Sequence, residues 1–394
     1  MAITDKEKGV WGLDQTYNKI NQGSIWEYST SGDNHELWVW GFDDSGVLGL
    51  SGAGWFSSPV QIPGTTWSSV SGSQGNSYFL VATKTDNTLW AWGYNAQGNL
   101  GQNNRTYYSS PRQIPGTTWK SARRGSSGIG ATKTDGTMWA WGYNQYGELG
   151  QNNLTKYSSP VQVGSDTTWD IVKGAGNRTL FVTKTDGTLW AWGYDGNGNL
   201  GQNSRTNYSS PVQVGSDTDW SNSTVAAGPG RIHYLKSDGT LYATGYGGQG
   251  GLGQNNQTYY SSPVQIPGTT WKSVGSNAQA TIASKTDGTL WAWGMNEHGS
   301  LGQNQAPAQL GQVSSPTQIP GTTWNTVSNP GAEKHIFVTK TDGTAWAWGE
   351  NERGALGVND QTDRSSPTQI VATDGWIGAM SGVGVYVGTG LRSL

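Results

Sequence analysis

A Trp-x-Trp-Gly motif returns roughly every 50 residues along this 394-residue chain, and this repetition constrains the fold more than any other feature. Six copies end at Gly41, Gly93, Gly142, Gly193, Gly294 and Gly349, and a degenerate copy, Tyr242-Ala-Thr-Gly245, fills the remaining gap. Leu-Gly keeps the same phase, with its leucine at Leu48, Leu100, Leu149, Leu200, Leu252, Leu301 and Leu356. Ser-Ser-Pro does so too, with its proline at Pro59, Pro111, Pro160, Pro211, Pro263, Pro316 and Pro367. The chain is therefore predicted to contain seven similar structural units.

One unit, 119–163, predicts four short strands, near 119, over 129–133, over 138–142 and over 159–163. Asp135-Gly136 lies between the second and third strands and is typical of a tight hairpin turn, which needs positive φ angles. Side chains alternate along a strand, so Trp139 and Trp141 point to one face and Ala140 to the other. The bulky face of one sheet can then pack on the small-residue face of the next sheet.

Four strands per unit and seven units predict an all-β fold, a seven-bladed β-propeller with four-stranded blades. The predicted blades are 67–114, 119–163, 169–214, 220–266, 271–319, 324–370, and a last one that combines 376–391 with 36–62. This last blade is shared between the N- and C-termini, so it closes the ring and leaves no open sheet edge. Residues 36–394 form the propeller domain in this interpretation, and residues 1–35 form a separate N-terminal segment.

Composition supports the all-β prediction. The chain has 60 Gly and 22 Trp but only 13% charged residues, which disfavours a helical protein because Gly destabilises helices, and disfavours disorder because disordered chains contain few aromatics. A net charge of −3 argues against binding to nucleic acid or to an anionic membrane. The chain has no Cys, its first eight residues lack the apolar stretch of a signal peptide, and no apolar run is long enough for a membrane span.

The repeated pattern Trp-x-x-Val, Thr-Asp-Gly-x-Leu-Trp-x-Trp-Gly, Gly-x-Leu-Gly and Ser-Pro-x-x-Ile/Val resembles the repeats of the regulator of chromosome condensation family, over residues 36 to 391. The resemblance implies a seven-bladed propeller. The founding member is a nucleotide exchange factor, but the wedge and basic tail that this activity implies are not found here. The largest insertion, 305–313, is too short for a wedge, and the Gly-Trp-Arg-His-Thr motif of the family's plant ultraviolet photoreceptor is also missing.

Candidate catalytic and metal-binding patterns are weak, so we expect no enzyme activity, no cofactor and no metal. The four histidines, His35, His233, His298 and His335, fall in four different units without metal-ligand spacing. Asp195-Gly-Asn-Gly-Asn199 is similar to the start of a calcium loop, but it lacks the turn glycine and the closing glutamate, which favours a simple turn.

Loops that join strands one to two and three to four of each unit must emerge on the same face of a propeller. These loops vary among the repeats, whereas the Asp-Gly hairpins and Pro-Gly-Thr-Thr linkers on the opposite face are nearly constant. Variable loops on a rigid scaffold indicate a recognition surface, although drift in unconstrained loops explains the variation equally well. The candidate partner-binding residues are Asp43, Asp44, Arg123, Arg124, Tyr146, Lys173, Arg178, Arg231, Glu297, His298, Glu333, Lys334, Glu352 and Arg353.

The segment before the propeller predicts a short amphipathic helix that ends near Gly23, because Val10, Leu13, Tyr17 and Ile20 are spaced as one apolar stripe. With Trp11 and Trp26 these residues could anchor the protein on a partner, or could cap the propeller's own surface. The pattern Gly-Val-Trp-x-Leu-x-x-x-Tyr…Gly-x-x-Trp is similar to a segment in virion appendage proteins of tailed bacteriophages.

The leading hypothesis is a non-enzymatic recognition or structural propeller that serves as a bacteriophage virion decoration, fibre or receptor-binding protein. Its partners would be other virion proteins, contacted through the N-terminal segment, and a host surface receptor or glycan. One alternative is a bacterial protein-binding propeller, cytoplasmic or exported by a non-classical route, similar to the family's inhibitor of β-lactamases. A second alternative is a glycan-binding lectin, because loops such as 103–108 are rich in Tyr and Asn.

Overall fold

A computed structural model describes residues 35–43, 45–52, 54–71, 78–125, 128–176, 178–220, 224–305, 309–328, 334–370, 376–382 and 387–393. Within these residues the secondary structure consists of β-strands and two single-turn 3₁₀ helices, Gly248–Gly250 and Glu297–Gly299. No helix in this part of the chain has the length and apolar character needed to cross a membrane. The predicted segment 1–35, apart from its last residue, lies outside the described residues.

The strands follow one another along the chain with turns and loops between them. The first half of the chain contains β1 His35–Phe42, β2 Trp55–Ser71, β3 Phe79–Lys84, β4 Leu89–Gly93, β5 Tyr108–Ile114, β6 Trp119–Arg124, β7 Gly128–Lys133, β8 Met138–Gly142, β9 Tyr157–Gln162, β10 Trp169–Gly176, β11 Thr179–Lys184, β12 Leu189–Gly193 and β13 Tyr208–Gln213. The second half contains β14 Thr224–Gly228, β15 Arg231–Leu235, β16 Leu241–Gly245, β17 Tyr260–Ile266, β18 Trp271–Ser276, β19 Ala280–Lys285, β20 Leu290–Met295, β21 Gln312–Ile319, β22 Trp324–Val327, β23 His335–Lys340, β24 Ala345–Gly349, β25 Arg364–Gln369, β26 Trp376–Gly382 and β27 Val387–Ser393.

Five sheets have four antiparallel strands in chain order: β6 to β9, β10 to β13, β14 to β17, β18 to β21 and β22 to β25. The first strands of successive sheets contact one another, from β6 through β10, β14 and β18 to β22, so these strands are innermost. The all-β propeller with four-stranded blades is therefore confirmed.

The predicted number of blades is wrong, because the described strands form six sheets and not seven. The sixth sheet has seven strands in the order β26-β27-β1-β2-β3-β4-β5. Strand β2 is 17 residues long and pairs with β1 along its first part and with β3 from Trp67 onwards. The fourth strand of the blade predicted at 36–62 and the first strand of the blade predicted at 67–114 are thus one continuous strand.

Strands from the two ends of the described chain pair directly. β1 and β27 are antiparallel and in register from His35 opposite Ser393 to Gly41 opposite Val387. β26 continues this sheet beyond β27, so the beginning and the end of the propeller are joined by backbone hydrogen bonds.

The core lies between neighbouring sheets. Ala91 of β4 packs in one apolar cluster with Trp141 of β8, and Ala140 of β8 packs in the next cluster with Trp192 of β12. Small and large side chains therefore meet across these interfaces between sheets. Burying one large apolar side chain there contributes about 1.5–3 kcal/mol to the stability of the fold.

The second Trp of each Trp-x-Trp-Gly motif also links neighbouring units by a hydrogen bond. The indole nitrogen of Trp141 donates to the carbonyl of Asn99 at 2.9 Å, and that of Trp192 donates to the carbonyl of Glu148 at 2.9 Å. Both acceptors lie in the loop of the preceding unit, which explains why Trp is used where apolar packing alone would not require it.

The first Trp of the motif stabilises the hairpin turn. Asp135 Oδ1 accepts hydrogen bonds from the backbone N–H and the hydroxyl of Thr137, and Thr137 Oγ1 accepts from the indole of Trp139 at 2.8 Å. Gly136 has φ +78°, and a Cβ there would lie 1.9 Å from the carbonyl oxygen of Thr167. The Asp-Gly-Thr-x-Trp pattern is thus explained by one repeated turn.

Candidate protein-binding face

The loops that join third and fourth strands lie together on one side of the propeller, which we call the variable-loop face. Their ranges are 43–54, 94–107, 143–156, 194–207, 246–259, 296–311 and 350–363, apart from residues 44, 53 and 306–308, which are not described. The hairpins and the linkers between sheets lie on the opposite side, which we call the hairpin-and-linker face.

A buried amide fixes the backbone of several of these loops. Asn144 Oδ1 accepts from the N–H of Leu149 at 2.9 Å, and its Nδ2 donates to the carbonyls of Asn153 and Thr155. Asp43 occupies the equivalent position, is 6% exposed and accepts from the N–H of Leu48 at 3.0 Å. The loops are therefore rigid platforms, and the side chain of Asp43 is part of the loop framework.

Aromatic side chains pair on these platforms, and we call them the aromatic loop pairs. The ring centroids are 5.5 Å apart for Phe42 and Trp55, 4.9 Å for Tyr94 and Tyr107, 5.0 Å for Tyr246 and Tyr259, and 5.1 Å for Tyr146 and Tyr194. Trp55 is 56% exposed, Tyr107 46% and Tyr259 40%, the highest values for aromatic side chains in the described part of the chain.

Cationic side chains lie over several of these rings. The guanidinium of Arg353 is 4.4 Å from the Phe42 ring, and that of Arg178 is 4.7 Å from the Tyr146 ring. Lys156 lies 4.4 Å from the ring of Tyr143, which belongs to the loop 143–156 but to none of the pairs. Such contacts hold the rings and the cations in place at the surface, so the variable-loop face presents ordered aromatic and basic groups.

A charged cluster replaces the aromatic loop pairs in the units that contain Glu297 and Glu350. His298 Nδ1 is 2.8 Å from Asp363 Oδ2, and Lys334 Nζ donates to His298 Nε2 at 3.3 Å. Glu297 accepts a hydrogen bond from the side chain of Gln279. Burial raises the pKa of Glu350 above its usual range, while Lys334 opposes this effect.

Two predicted recognition arginines are interior residues, which corrects the expectation that they are exposed. Arg124 is 1% exposed, lies 3.5 Å from the Phe79 ring and donates to the carbonyl of Phe79. Arg231 is 1% exposed and donates to the carbonyl of Asn277 at 2.9 Å and to Ser276 Oγ at 3.4 Å. Burial lowers the pKa of Arg231 to about 10. Both residues belong to strands, β6 and β15, where their side chains pack against neighbouring strands.

Two other predicted cations, Arg123 and Lys173, are half-buried on the first strands β6 and β10. Arg123 donates to the carbonyl of Ala122 at 3.0 Å, and burial lowers its pKa. Burial also lowers the pKa of Lys173, while Asp170 opposes the shift. These two side chains are not part of the aromatic loop pairs.

The predicted residues thus separate into groups. The structure brings Tyr146 together with Arg178, and Glu297 together with His298 and Lys334. Glu352 is exposed beside Arg353, which stacks on Phe42. The following predicted residues lie outside the described residues: Val10, Trp11, Leu13, Tyr17, Ile20, Trp26, Asp44 and Glu333.

Most of the aromatic loop pairs escaped the sequence analysis, although a simple spacing could have revealed them. The residue after a Trp-x-Trp-Gly motif pairs with the residue 13 positions later, as in Phe42 with Trp55, Tyr94 with Tyr107, and Tyr246 with Tyr259. This signal lies within single repeats and becomes visible only when the repeats are aligned on that motif.

The calcium-like sequence at Asp195 forms a turn. Asp195 Oδ1 accepts from the N–H of Leu200 at 2.8 Å, as the equivalent Asn144 does for Leu149. Burial raises the pKa of Asp195 to about 6. Burial lowers the pKa values of His233 and His335 to about 3, so neither histidine is an acid–base group at neutral pH. In the described ranges, no three His, Cys, Asp or Glu side chains are grouped as metal ligands.

Solved structures with the same fold support the architecture. Prp20p from Saccharomyces cerevisiae, whose binding properties to Gsp1p and histones are known, is similar with a TM-score of 0.77 and 19% identity, over 92% of each chain. Human WBSCR16 is similar with a TM-score of 0.76 and 19% identity, over 91% of this chain and 99% of that one. At these identities the similarity establishes the fold alone.

Sequence comparisons identify related proteins. The ultraviolet-B receptor UVR8 of Arabidopsis thaliana is 26% identical over 201 residues, which cover 50% of this chain and 44% of that receptor. The profile of the regulator of chromosome condensation (RCC1) repeat matches residues 86–127, 135–176, 186–230, 287–328 and 342–383, and a second profile of the same repeat matches 271–300. These matches cover more than half of the chain, which therefore belongs to the family of regulator of chromosome condensation (RCC1) repeat proteins.

Proposed function

We propose that the chain is a non-enzymatic protein-binding propeller that holds its partner at the variable-loop face through the aromatic loop pairs. The observation that carries the proposal is the exposure of Trp55, at the start of β2, and of Tyr107 and Tyr259, at the ends of their loops. Tyr, Trp and Arg are enriched at protein interfaces because they bury a large area with few rotatable bonds. Exposed aromatic side chains on a rigid platform therefore lose little conformational entropy on binding.

Charge distribution adds a second feature of the partner. Arg178, Arg205 and Lys156 lie among the aromatic side chains, whereas Glu297 and Asp363 lie in the charged cluster with His298 and Lys334. A partner that places apolar and acidic groups on the aromatic side and basic groups on the opposite side would be complementary. Complementary charges mainly increase the association rate and select the partner.

Related propellers support the general function. Prp20p has binding properties towards Gsp1p and histones, and the yeast protein has also been crystallised with Kap60 bound. All of these ligands are proteins. The virion role expected from the segment that contains Val10 and Trp26 has no support from the comparisons, and that segment lies outside the described residues, so it is not part of this proposal.

The test starts by finding the partner through site-specific crosslinking. A photo-crosslinking residue placed at Trp55, Tyr107 or Tyr259 should capture one protein that the same residue placed at Thr117 on the opposite face does not capture. Binding of that purified protein is then measured by calorimetry.

The triple variant W55A/Y107A/Y259A should weaken this binding by 30-fold or more, because buried aromatic side chains are the usual hot spots of interfaces. The matched control T117A/T269A/T322A changes three exposed residues of the hairpin-and-linker face and should bind like wild type. Unchanged binding by the aromatic variant would contradict the proposal. So would a ligand that proves to be a glycan, bound by wild type and lost in the aromatic variant.

A further inference from the structure

Beside the hairpins, a lysine lies over two aromatic rings in six of the units, and in two of these units the side chains line a pocket. In one unit, Lys133 Nζ lies 4.8 Å from the ring centroid of Trp119 and 4.1 Å from that of Trp139. These three side chains line a cavity of about 330 Å³ together with Pro115, Ser159 and Pro160, and its far wall is formed by residues 101–103, at the end of the loop 94–107 that folds back along β5. We call this cavity the Lys133 pocket.

The chain fills the equivalent place with its own carboxylate in two other units. Lys184 Nζ lies over Trp169 and Trp190 at nearly the same distances, 4.7 and 4.1 Å, and Asp166 Oδ2 is 2.6 Å from it. Lys236 Nζ is 2.5 Å from Asp217 Oδ2. Both aspartates come from a Val-Gly-Ser-Asp linker that precedes the first strand of the unit.

Four units have the shorter linker Pro-Gly-Thr-Thr, which supplies no carboxylate. Their lysines are Lys84, Lys133, Lys285 and Lys340, and each ammonium lies between two Trp rings as in the Lys184 unit. Among the described residues, no Asp or Glu oxygen lies within 4.0 Å of any of these four ammonium groups.

The cavity volumes at Lys133 and Lys236 differ. The pocket at Lys236, where Asp217 is present, has a volume of about 180 Å³, compared with about 330 Å³ at Lys133. The Lys133 pocket therefore has space for an additional small group beside its ammonium.

The hairpin aspartate Asp135 interacts electrostatically with Lys133, which helps to lower the pKa of the Asp135 carboxyl, but its oxygens lie more than 4.0 Å from the ammonium. Asp135 Oδ1 is used by the N–H and hydroxyl of Thr137. Asp186 is held by Thr188 in the same way, and yet Lys184 of that unit still pairs with Asp166. The occupied unit thus shows that a carboxylate is accepted next to the hairpin aspartate.

The wall of the Lys133 pocket also contains a polar group without a partner. Trp119 is 1% exposed, and its indole N–H has no hydrogen-bond acceptor among the described residues. The indole nitrogen lies 3.3 Å from the place where a Cβ on Gly116 would stand. Gly116 stands where the longer linker has its Asp in the sequence alignment of the units. The indole N–H of Trp169 has no acceptor among the described residues either, although Asp166 is present in its unit. The carboxylate of the longer linker therefore pairs with the lysine, and the indole lies beside the side from which it enters.

We propose that the Lys133 pocket binds a carboxylate group, and that the ammonium groups of Lys84, Lys285 and Lys340, which have the same two Trp rings and the same linker, do so too. The Trp rings hold the ammonium in a fixed position and remove water from its sides, so a carboxylate meets a preorganised cation. The ligand is either a free small carboxylate or the acidic side chain of a bound peptide. This inference is independent of the proposed role of the variable-loop face.

The test follows the indole N–H resonances of the ¹⁵N-labelled full chain during titration with sodium acetate, with sodium chloride at equal ionic strength as the control. The Trp119 signal, assigned from the W119F variant, should shift in a saturable manner. The Trp169 signal should not respond, because Asp166 already occupies its lysine. In D166A, the Trp169 signal should become responsive to acetate.

Two variants keep the proposal falsifiable. K133M should abolish the Trp119 response. Replacement of Pro115-Gly116 by Gly-Ser-Asp should also abolish it, because the new Asp would pair with Lys133 itself. The thermal melt of this second variant should remain that of a folded propeller. An unresponsive Trp119, an equal shift in K133M, or an unresponsive Trp169 in D166A would overturn the proposal.

The source of the carboxylate is distinguished by comparing succinate with the capped peptides acetyl-Gly-Asp-Gly-amide and acetyl-Gly-Asn-Gly-amide. A peptide ligand is indicated if the Asp peptide saturates at a concentration tenfold or more below that of succinate. A free carboxylate is indicated by the reverse order. Equal responses to the Asp and Asn peptides, together with no response to succinate, would contradict carboxylate recognition.

Discussion

The indole nitrogen of Trp40 donates a hydrogen bond of 2.8 Å to the carbonyl oxygen of Ala355, which is 315 residues further along the chain. Trp141 and Asn99 make the same contact between neighbouring units. The bond between Trp40 and Ala355 is therefore the same link between neighbouring units, made here between the first and the last parts of the described propeller.

Replacing Trp40 by Phe should destabilise the protein by about 1–3 kcal/mol, because the carbonyl of Ala355 would be left buried without its donor. Urea unfolding followed by circular dichroism measures this difference. Trp38→Phe is the matched control on the same strand, since its indole donates to the part-buried side chain of Glu36, and it should cost less than about 1 kcal/mol. Equal losses in the two variants would contradict a special role for the Trp40 contact.

Deleting residues 376–394 should abolish cooperative unfolding. The deletion removes β26 and β27, and β1 then loses the partner with which it is in register from His35 to Gly41. An inner sheet edge would be exposed, which favours aggregation. Calorimetry of the truncated chain tests this expectation, with Leu391→Ala as a milder change at a buried position, expected to cost about 2–5 kcal/mol. A wild-type melt after the deletion would show that the pairing does not hold the ring together.

Arg231→Glu should destabilise the protein by more than about 3 kcal/mol, since a carboxylate would be buried beside the carbonyl of Asn277. Arg231→Met, which keeps the length of the side chain without its charge, should cost less than the Glu variant. Arg353→Glu changes a partly exposed arginine and should stay within about 1 kcal/mol of wild type. Chemical denaturation measures the free energy of unfolding of the three variants. An Arg231→Glu variant as stable as Arg353→Glu would refute the interior position of Arg231.

Asp195→Asn should stabilise the protein at pH 7 by about 1–2 kcal/mol, by gaining amide hydrogen bonds like those of Asn144. Burial raises the pKa of Asp195 from 3.8 to about 6, so the folded state binds a proton more readily than the unfolded state. The stability that this group contributes is therefore greatest below pH 4 and is lost as the pH rises through 6.

The advantage of Asp195→Asn should accordingly shrink between pH 7 and pH 4 in denaturation curves. Asn144→Asp is the reciprocal control and should be less stable than wild type at pH 7. A pH-independent difference between wild type and the Asn variant would contradict the buried, ionisable state of Asp195.

Much of the fold was predictable because each repeat carries its own turn signals. The Asp135-Gly136 hairpin and the alternation of Trp139, Ala140 and Trp141 specify strands and their faces from local sequence alone. The number of sheets was not predictable in this way. Ile-Pro-Gly-Thr-Thr-Trp occurs at both 62–67 and 114–119, yet the strand continues through the first copy and is interrupted in the second.

The two linkers have similar backbone geometry, since Gly64 and Gly116 both have φ +110° and the N–H of Trp119 donates to the carbonyl of Asn87 at 3.0 Å. His35 of β1 is paired with Trp67, so the ladder between β1 and β2 extends across the first linker. Neither partner is marked by the linker sequence itself, and the continuity of β2 depends on tertiary pairing.

Only part of the candidate site was predictable, for a related reason. Loop variability identified the candidate face, but it did not show how deeply each side chain is buried. Arg124 is the last residue of β6 and Arg231 is the first residue of β15, so both lie at strand ends next to a turn. A displacement of one or two residues along the chain decides whether a side chain is exposed to solvent or buried. Tyr146 and Arg178 lie on different units, and their stacking depends on how neighbouring sheets pack.

Strand β2 makes one sheet of the propeller larger than the others, and this difference in size should affect how the propeller unfolds. In a repeat protein, stability is approximately a sum of unit terms and nearest-neighbour terms, and each joint is a place where partial unfolding can stop. The linkers before β6, β10, β14, β18 and β22 are such joints. Between β1 and β3 there is no joint, because one strand belongs to both pairings. We therefore expect the seven-stranded sheet to unfold as a larger cooperative unit than the four-stranded sheets.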